Sequence, residues 1–251
     1  MPQDAPFYQE LADMVPVFMI ILTRLSPIVF FLPGIGEEVI PVRVRLMLLL
    51  ALSASIAGVG LVEAPQTSSA AGFAGVLISE ALVGICLGVS LRLVSWVLSA
   101  AGAVIAQSIG LAQFLGVALQ SEAQTITANF LTMAGAAVLV TADFHIAVLK
   151  ALFKLYEDLP AGQVPLLDET FFIQNIFAGF TLAITLAWPL VAMGLIYNIC
   201  LGFINRAMPQ LMVAFVGAPF MVGAGLVLLT VSIGSMLFVW MQNVPNLIGW
   251  M

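Results

Sequence analysis

His145 is the only histidine in the chain and stands beside Asp143. An imidazole next to a carboxylate suggests general base chemistry or metal ligation. No Ser or Cys stands at a motif spacing that would complete a nucleophilic set, and a metal would need more donors. A surface or interfacial histidine is the reading that remains. Cys86 and Cys200 are isolated in apolar runs, without redox or metal spacing, and read as buried free thiols. Twenty-one glycines include no phosphate-cradling loop followed by Lys, so nucleotide hydrolysis has no support. We therefore expect no catalytic residue, metal or cofactor. The chemistry left to explain is charge and polarity placed inside oil, at Arg24, at Arg92, across Gly102–Phe130, and in "LGFINRAMPQLMVAF" (201–215).

The elements that carry these residues follow from composition. Of 251 residues, 62% are hydrophobic and 8% charged, with a mean hydropathy of +1.16. Soluble domains carry about 25% charge, so this chain cannot cover a water-facing surface. Its apolar runs are long enough to cross about 30 Å of hydrocarbon. They are continuous, whereas barrel strands alternate, so the spans read as helices. The expected fold is an all-α polytopic membrane protein of helical hairpins with kinked helices. A net charge of -6 without a Lys/Arg cluster excludes a nucleic-acid footprint. The N-terminus lacks a basic region before its apolar run, so 14–32 reads as a retained first span.

Six apolar segments are expected at about 14–32, 46–62, 71–99, 125–142, 170–200 and 210–241. "PGIGEEVIPVRVR" (33–45) makes a turn and a basic helix start, and 63–69 is a short polar loop. The connection 143–170 begins as an amphipathic helix, with Ile146, Leu149, Leu152 and Phe153 on one face and Lys150 and Lys154 off it. Lys and Arg favour the cytoplasmic side. With both termini outside, Arg24, Arg43, Arg45, Arg92 and Arg206 fall at cytoplasmic ends, against Lys150 and Lys154 outside. Asn205, Arg206, Pro209 and Gln210 then form the cytoplasmic tip of a hairpin, where Pro209 lets the chain reverse. The tip is either a positive-inside loop or a docking point for a partner. Arg24, within the first run, must snorkel, pair with an acid or face water. Gly84 and Gly88, one turn apart, bare backbone for close helix packing.

The tract 102–130 is the hardest to read as a span, because Gln107, Ser108, Gln113, Gln120, Ser121, Glu122 and Gln124 dilute it. It is either a re-entrant or cytosolic loop, or a constriction lining a pore. As a constriction, Leu111, Phe114, Leu115, Val117 and Leu119 would close the lumen. Gln113, Gln120 and Gln124 would meet water or partner loops, and Gly110 and Gly116 would allow the bends.

Three stretches taken together resemble the FliR/SctT family of type III secretion export-gate proteins. "RLSPIVFFLPGIGEEVIPVRVRLMLLLAL" carries Arg24, Pro33, Gly36, Pro41, Arg43 and Arg45. "AGAVIAQSIGLA" carries Gly102, Gln107 and Gly110, and "INRAMPQLMVAFVGAP" carries Arg206, Pro209, Gln210, Gly217 and Pro219. The resemblance runs over nearly the whole chain. Where many relatives carry an Asp-Pro pair in the central loop, this chain reads "GLAQFLGVALQSEAQT". The resemblance implies a FliP-like part (1–169) joined to a FliQ-like helical hairpin (170–251). It further implies a gate built with FliP-like and FliQ-like subunits, with an FlhB-like protein around its cytoplasmic side and an FlhA-like protein as a further candidate. Unfolded rod, hook and filament subunits would pass through this gate at the base of the flagellar basal body, in the bacterial inner membrane. Two alternatives stand beside it. One is the equivalent subunit of a virulence injectisome. The other is a secondary transporter, for which Pro189 and Pro219 would mark broken helices.

Overall fold

The computed structural model describes residues 5–36, 40–60, 62, 69–110, 120–162, 169–208 and 213–249. Among them the regular structure is helical throughout: α1 (Ala5–Phe31), α2 (Val42–Val59), α3 (Ala70–Ser108), α4 (Gln120–Thr141), α5 (Phe144–Asp158), α6 (Glu169–Ala207) and α7 (Val213–Ile248). Five helices are long and apolar enough to cross a membrane, and α4 with α5 forms a bent pair that would make a sixth crossing. The expected all-α membrane fold is the observed one, and each of the six expected segments overlaps one of these helices. The break between α4 and α5 falls at Asp143, the one non-glycine residue with positive φ among those described (54°). A short polar side chain is among the few that tolerate this left-handed conformation.

The helices gather into two compact units. The first contains residues 1–92, 140–174 and 248–251. Here α2 buries a narrow stripe, Arg45, Leu49, Ser53 and Ile56. That spacing of four, four and three residues follows one helical face. Its other faces carry exposed Val42, Val44, Met47 and Leu50, apolar residues that suit a lipid or protein neighbour and not water. Ile20, Ile21, Leu25 and Ile28 of α1 and Val83, Leu87 and Leu91 of α3 are buried as well. Gly84 and Gly88 do what their spacing predicts. A Cβ at 84 would fall onto the backbone carbonyl of Arg24, and one at 88 would lie 2.8 Å from the Pro27 carbonyl oxygen. At 84 only backbone is met, and at 88 the Phe31 ring lies 2.7 Å away but the Pro27 carbonyl behind it cannot give way. Gly84→Val is expected to lower stability by about 1–3 kcal/mol, the usual cost of overpacking. A melting curve of the detergent-extracted protein, followed by size exclusion, checks this.

The amphipathic α5 is present, but its buried face is Phe144, Val148, Leu152, Leu155 and Tyr156, while Ile146 is exposed. Lys150 and Lys154 are exposed as expected, and so is His145. The buried set is rotated from the expected one because apolar residues lie on both sides of this helix, so composition alone does not select the core side.

The second unit contains residues 93–139 and 175–247. Its core centres on Trp240, fully buried, whose indole N–H donates to the Val94 carbonyl at 3.0 Å. Val97, Leu98, Ile105, Leu131, Leu186 and Leu190 are buried in the same unit. Gly102 admits α4 closely, since a Cβ there would lie 2.6 Å from the Ala128 Cα. α6 runs through Pro189 and α7 through Pro219. Helix continuity at these prolines removes the broken-helix feature on which the transporter alternative rested.

Candidate functional site

Among the described residues, the first unit holds a pair of charges sealed from solvent. Arg24 comes from α1 and Glu80 from α3, and both are 0% exposed. The Arg24 Nε donates to Glu80 Oε2 at 2.5 Å and Nη2 donates to Oε1 at 3.1 Å, a two-pronged pairing. The guanidinium also sits 4.6 Å over the Tyr156 ring of α5. Both charges then reach the turn after α5. Arg24 Nη1 donates to the Leu159 carbonyl at 3.0 Å, and the Gly162 N–H donates to Glu80 Oε1 at 2.8 Å. Of the three fates open to Arg24, pairing with an acid is the one observed.

This finding changes how Arg24 counts towards topology. A buried, paired arginine is held by Glu80 and by the Leu159 carbonyl, so its depth reports packing more than loop placement. Arg45 behaves similarly. It is 9% exposed, donates Nε and Nη2 to the Ile40 carbonyl at 3.1 and 2.9 Å, and lies 6.0 Å over the Phe30 ring. It fastens the turn before α2, where Pro33 is buried and Pro41 precedes the helix. Arg43 is exposed beside it.

Glu80 escaped the sequence reading. The signal was a lone carboxylate in the apolar run 71–99, which demands a counter-charge as strongly as Arg24 does. Nothing in a separation of 56 residues, however, says which charge it meets.

The remaining candidates separate. The tract 102–130 is three things: the end of α3, a turn at Ile109–Gly110, and the start of α4. Gly110 has φ 68°, a left-handed value that ends the helix. Leu111, Gln113, Phe114, Leu115, Gly116, Val117 and Leu119 lie outside the described residues, and Gln120 opens α4. Beside Gly110 is a small polar cavity of about 120 Å³, lined by Gln107, Ser108, Tyr197, Asn198 and Met221 among others. Asn205 and Arg206 are exposed at the end of α6, while Pro209 and Gln210 lie outside the described residues. Gly217 has a packing reason, because the Tyr197 hydroxyl occupies the place a Cβ would take. Pro219 is exposed on α7. Cys200 is exposed and Cys86 half-buried, both free, so the expected burial fails for Cys200. In a membrane helix an apolar thiol faces lipid or a partner at little cost.

A family described as bacterial export proteins, family 1, matches this chain over residues 15–247. The chain belongs to that family. Among its relatives is the flagellar biosynthetic protein FliR of Caulobacter vibrioides, 31% identical over 242 residues, which cover 94% of this chain and 96% of the relative. FliR of Aquifex aeolicus is 29% identical, covering 84% and 82%. The surface presentation of antigens protein SpaR of Salmonella typhimurium is 28% identical, covering 81% and 78%. The match to the export family embraces all seven arginines and lysines, including the sealed Arg24.

Proposed function

We infer that this chain is an export-gate component of the flagellar type III secretion system. The observation that carries this is the end-to-end likeness to a flagellar FliR, 94% of one chain against 96% of the other. The SpaR relatives keep an injectisome role as the second reading, with lower coverage. In this role the chain forms a channel with FliP-like and FliQ-like subunits, in the inner membrane at the base of the basal body. An FlhB-like protein, and an FlhA-like one, would meet its cytoplasmic side. Residues 1–169 would act as the FliP-like part and 170–251 as the FliQ-like hairpin.

Helix length supports a partner-covered chain. On α6, exposed Phe177, Phe180, Ile184, Trp188, Leu195, Ile199 and Phe203 mark out an apolar surface. Twenty-six steps at 1.5 Å place its ends about 39 Å apart. Hydrocarbon covers about 30 Å, and an ordinary tilt of about 20° recovers little of the difference. A partner protein would cover what acyl chains do not. Deleting the gene tests the role: cells should lose filaments and secretion of hook and rod subunits, with both restored by the gene supplied in trans. Normal flagellation after deletion would refute the flagellar role.

The tip at Asn205–Gln210 is proposed as a docking point. Arg206 ends α6, where a cation suits the helix dipole, but that effect is worth only about 0.3–1 kcal/mol. Arg206→Glu should therefore leave the chain in the membrane at near-normal abundance. It should reduce export and weaken crosslinking to the FlhB-like protein. A cysteine introduced at position 206 that reacts only from the periplasmic side would contradict both the docking and the orientation.

A further inference from the structure

The sealed pair does more than neutralise itself. α1 and α3 already approach closely without it, through Gly84 against the Arg24 carbonyl, Gly88 against that of Pro27, and the apolar residues around them. Among the described residues, the turn Leu159–Gly162 has less apolar support. Pro160 and Gly162 are exposed and Leu159 and Ala161 only half-buried. The Leu159 N–H bonds back to Leu155 within α5. Among the described residues, the hydrogen bonds from this turn to the rest of the unit run to Arg24 and to Glu80. Gly162 itself sits at φ 84°, with Val76 of α3 3.7 Å from where a Cβ would be. The turn lies against α3, and two ionic side chains hold it there.

We propose that Arg24 and Glu80 are positioning residues whose task is to fasten the turn after α5 to α1 and α3. Each charge spends part of its hydrogen-bonding capacity on its partner and the rest on turn backbone. The Arg24 guanidinium has three nitrogens. Two face Glu80 and the third takes the Leu159 carbonyl. Glu80 Oε1 accepts from both Arg24 and Gly162. Tyr156, one turn before Leu159, presents its ring to the guanidinium and so aligns the end of α5 with the same point. A pair that served only to join two helices would need none of these contacts. This inference concerns how the chain is built and stands whatever the export system it serves.

The two roles separate in a double replacement. Arg24→Met with Glu80→Met removes both charges together, leaving no buried charge without a partner and apolar side chains of similar length. Both natural cysteines are first replaced by alanine, and Ala161→Cys then reports the turn by its rate of maleimide labelling, in membranes containing the chain expressed with its export-gate operon. The double variant should accumulate normally, yet the thiol introduced in place of Ala161 should label about tenfold faster, because two bonds that restrained local opening are gone. The swapped pair, Arg24→Glu with Glu80→Arg, should fail to restore protection, since donor and acceptor no longer match the Leu159 carbonyl and Gly162 N–H. Unchanged labelling in the double Met variant would overturn the proposal. So would a double variant that fails to accumulate, which would assign the pair to joining α1 and α3.

Discussion

Trimming Phe114–Leu119 is expected to leave an assembled complex that leaks ions and still exports some substrate. The physical reason lies in the composition of residues 111–119, between α3 and α4. Leu111, Phe114, Leu115, Val117 and Leu119 are too apolar for an ordinary solvated loop, while Gln113 and Gln120 are too polar for a lipid face. We propose that they line a pore interior, which would accommodate both, because an apolar constriction excludes hydrated ions by dewetting and yields to a chain pushed through it. The segment is flanked by Gly110, whose φ of 68° ends α3, and by the start of α4 at Gln120. Replacing Phe114, Leu115, Val117 and Leu119 by serine keeps the length and should leak in the same way. Membrane conductance in cells that retain the intact complex is the measurement. Tight membranes despite either change would place the seal in other subunits.

Glu80→Ala is expected to remove the chain from the membrane. It leaves the Arg24 guanidinium at 0% exposure with one backbone carbonyl and an aromatic face for company. Breaking a buried pair from one side costs about 3–5 kcal/mol, a large part of the roughly 5–15 kcal/mol that holds a protein folded. Arg24→Ala should be as damaging, through an uncompensated carboxylate and the freed Gly162 N–H. Immunoblots of washed membranes should show at least a tenfold fall in abundance for each, as expected for a folded population cut by that energy. Near-normal abundance of Glu80→Ala would mean that water reaches Arg24.

What the sequence could reveal differed from element to element. The helices were legible because continuous apolar runs have one stable form in lipid. That α3 takes a close helix neighbour was legible because Gly84 and Gly88 are one turn apart in such a run, but not that the neighbour is α1. Arg24 was visible as a costly residue, but its partner was not, since long-range pairing leaves no local spacing. The core side of α5 was misread at Ile146 because a helix in an apolar setting needs no polar outer face. The tract 102–130 was read as a unit by composition, whereas helix geometry continues α3 to Ser108, whose hydroxyl bonds back within the helix to the Val104 carbonyl at 2.7 Å. The exposed position of Arg206 at the end of α6 was legible from charge alone, because it is isolated in an otherwise uncharged stretch.

The central claim is that this 26.6 kDa chain works as one part of a larger export gate. Its most direct test is the mass and composition of the complex that a tagged chain carries out of the membrane in mild detergent. The account predicts a particle several times the mass of the chain, in which FliP-like and FliQ-like subunits outnumber it. The same particle should be missing from cells that lack those subunits, with the chain itself unstable there. A well-behaved monomer, with or without those subunits, would contradict it.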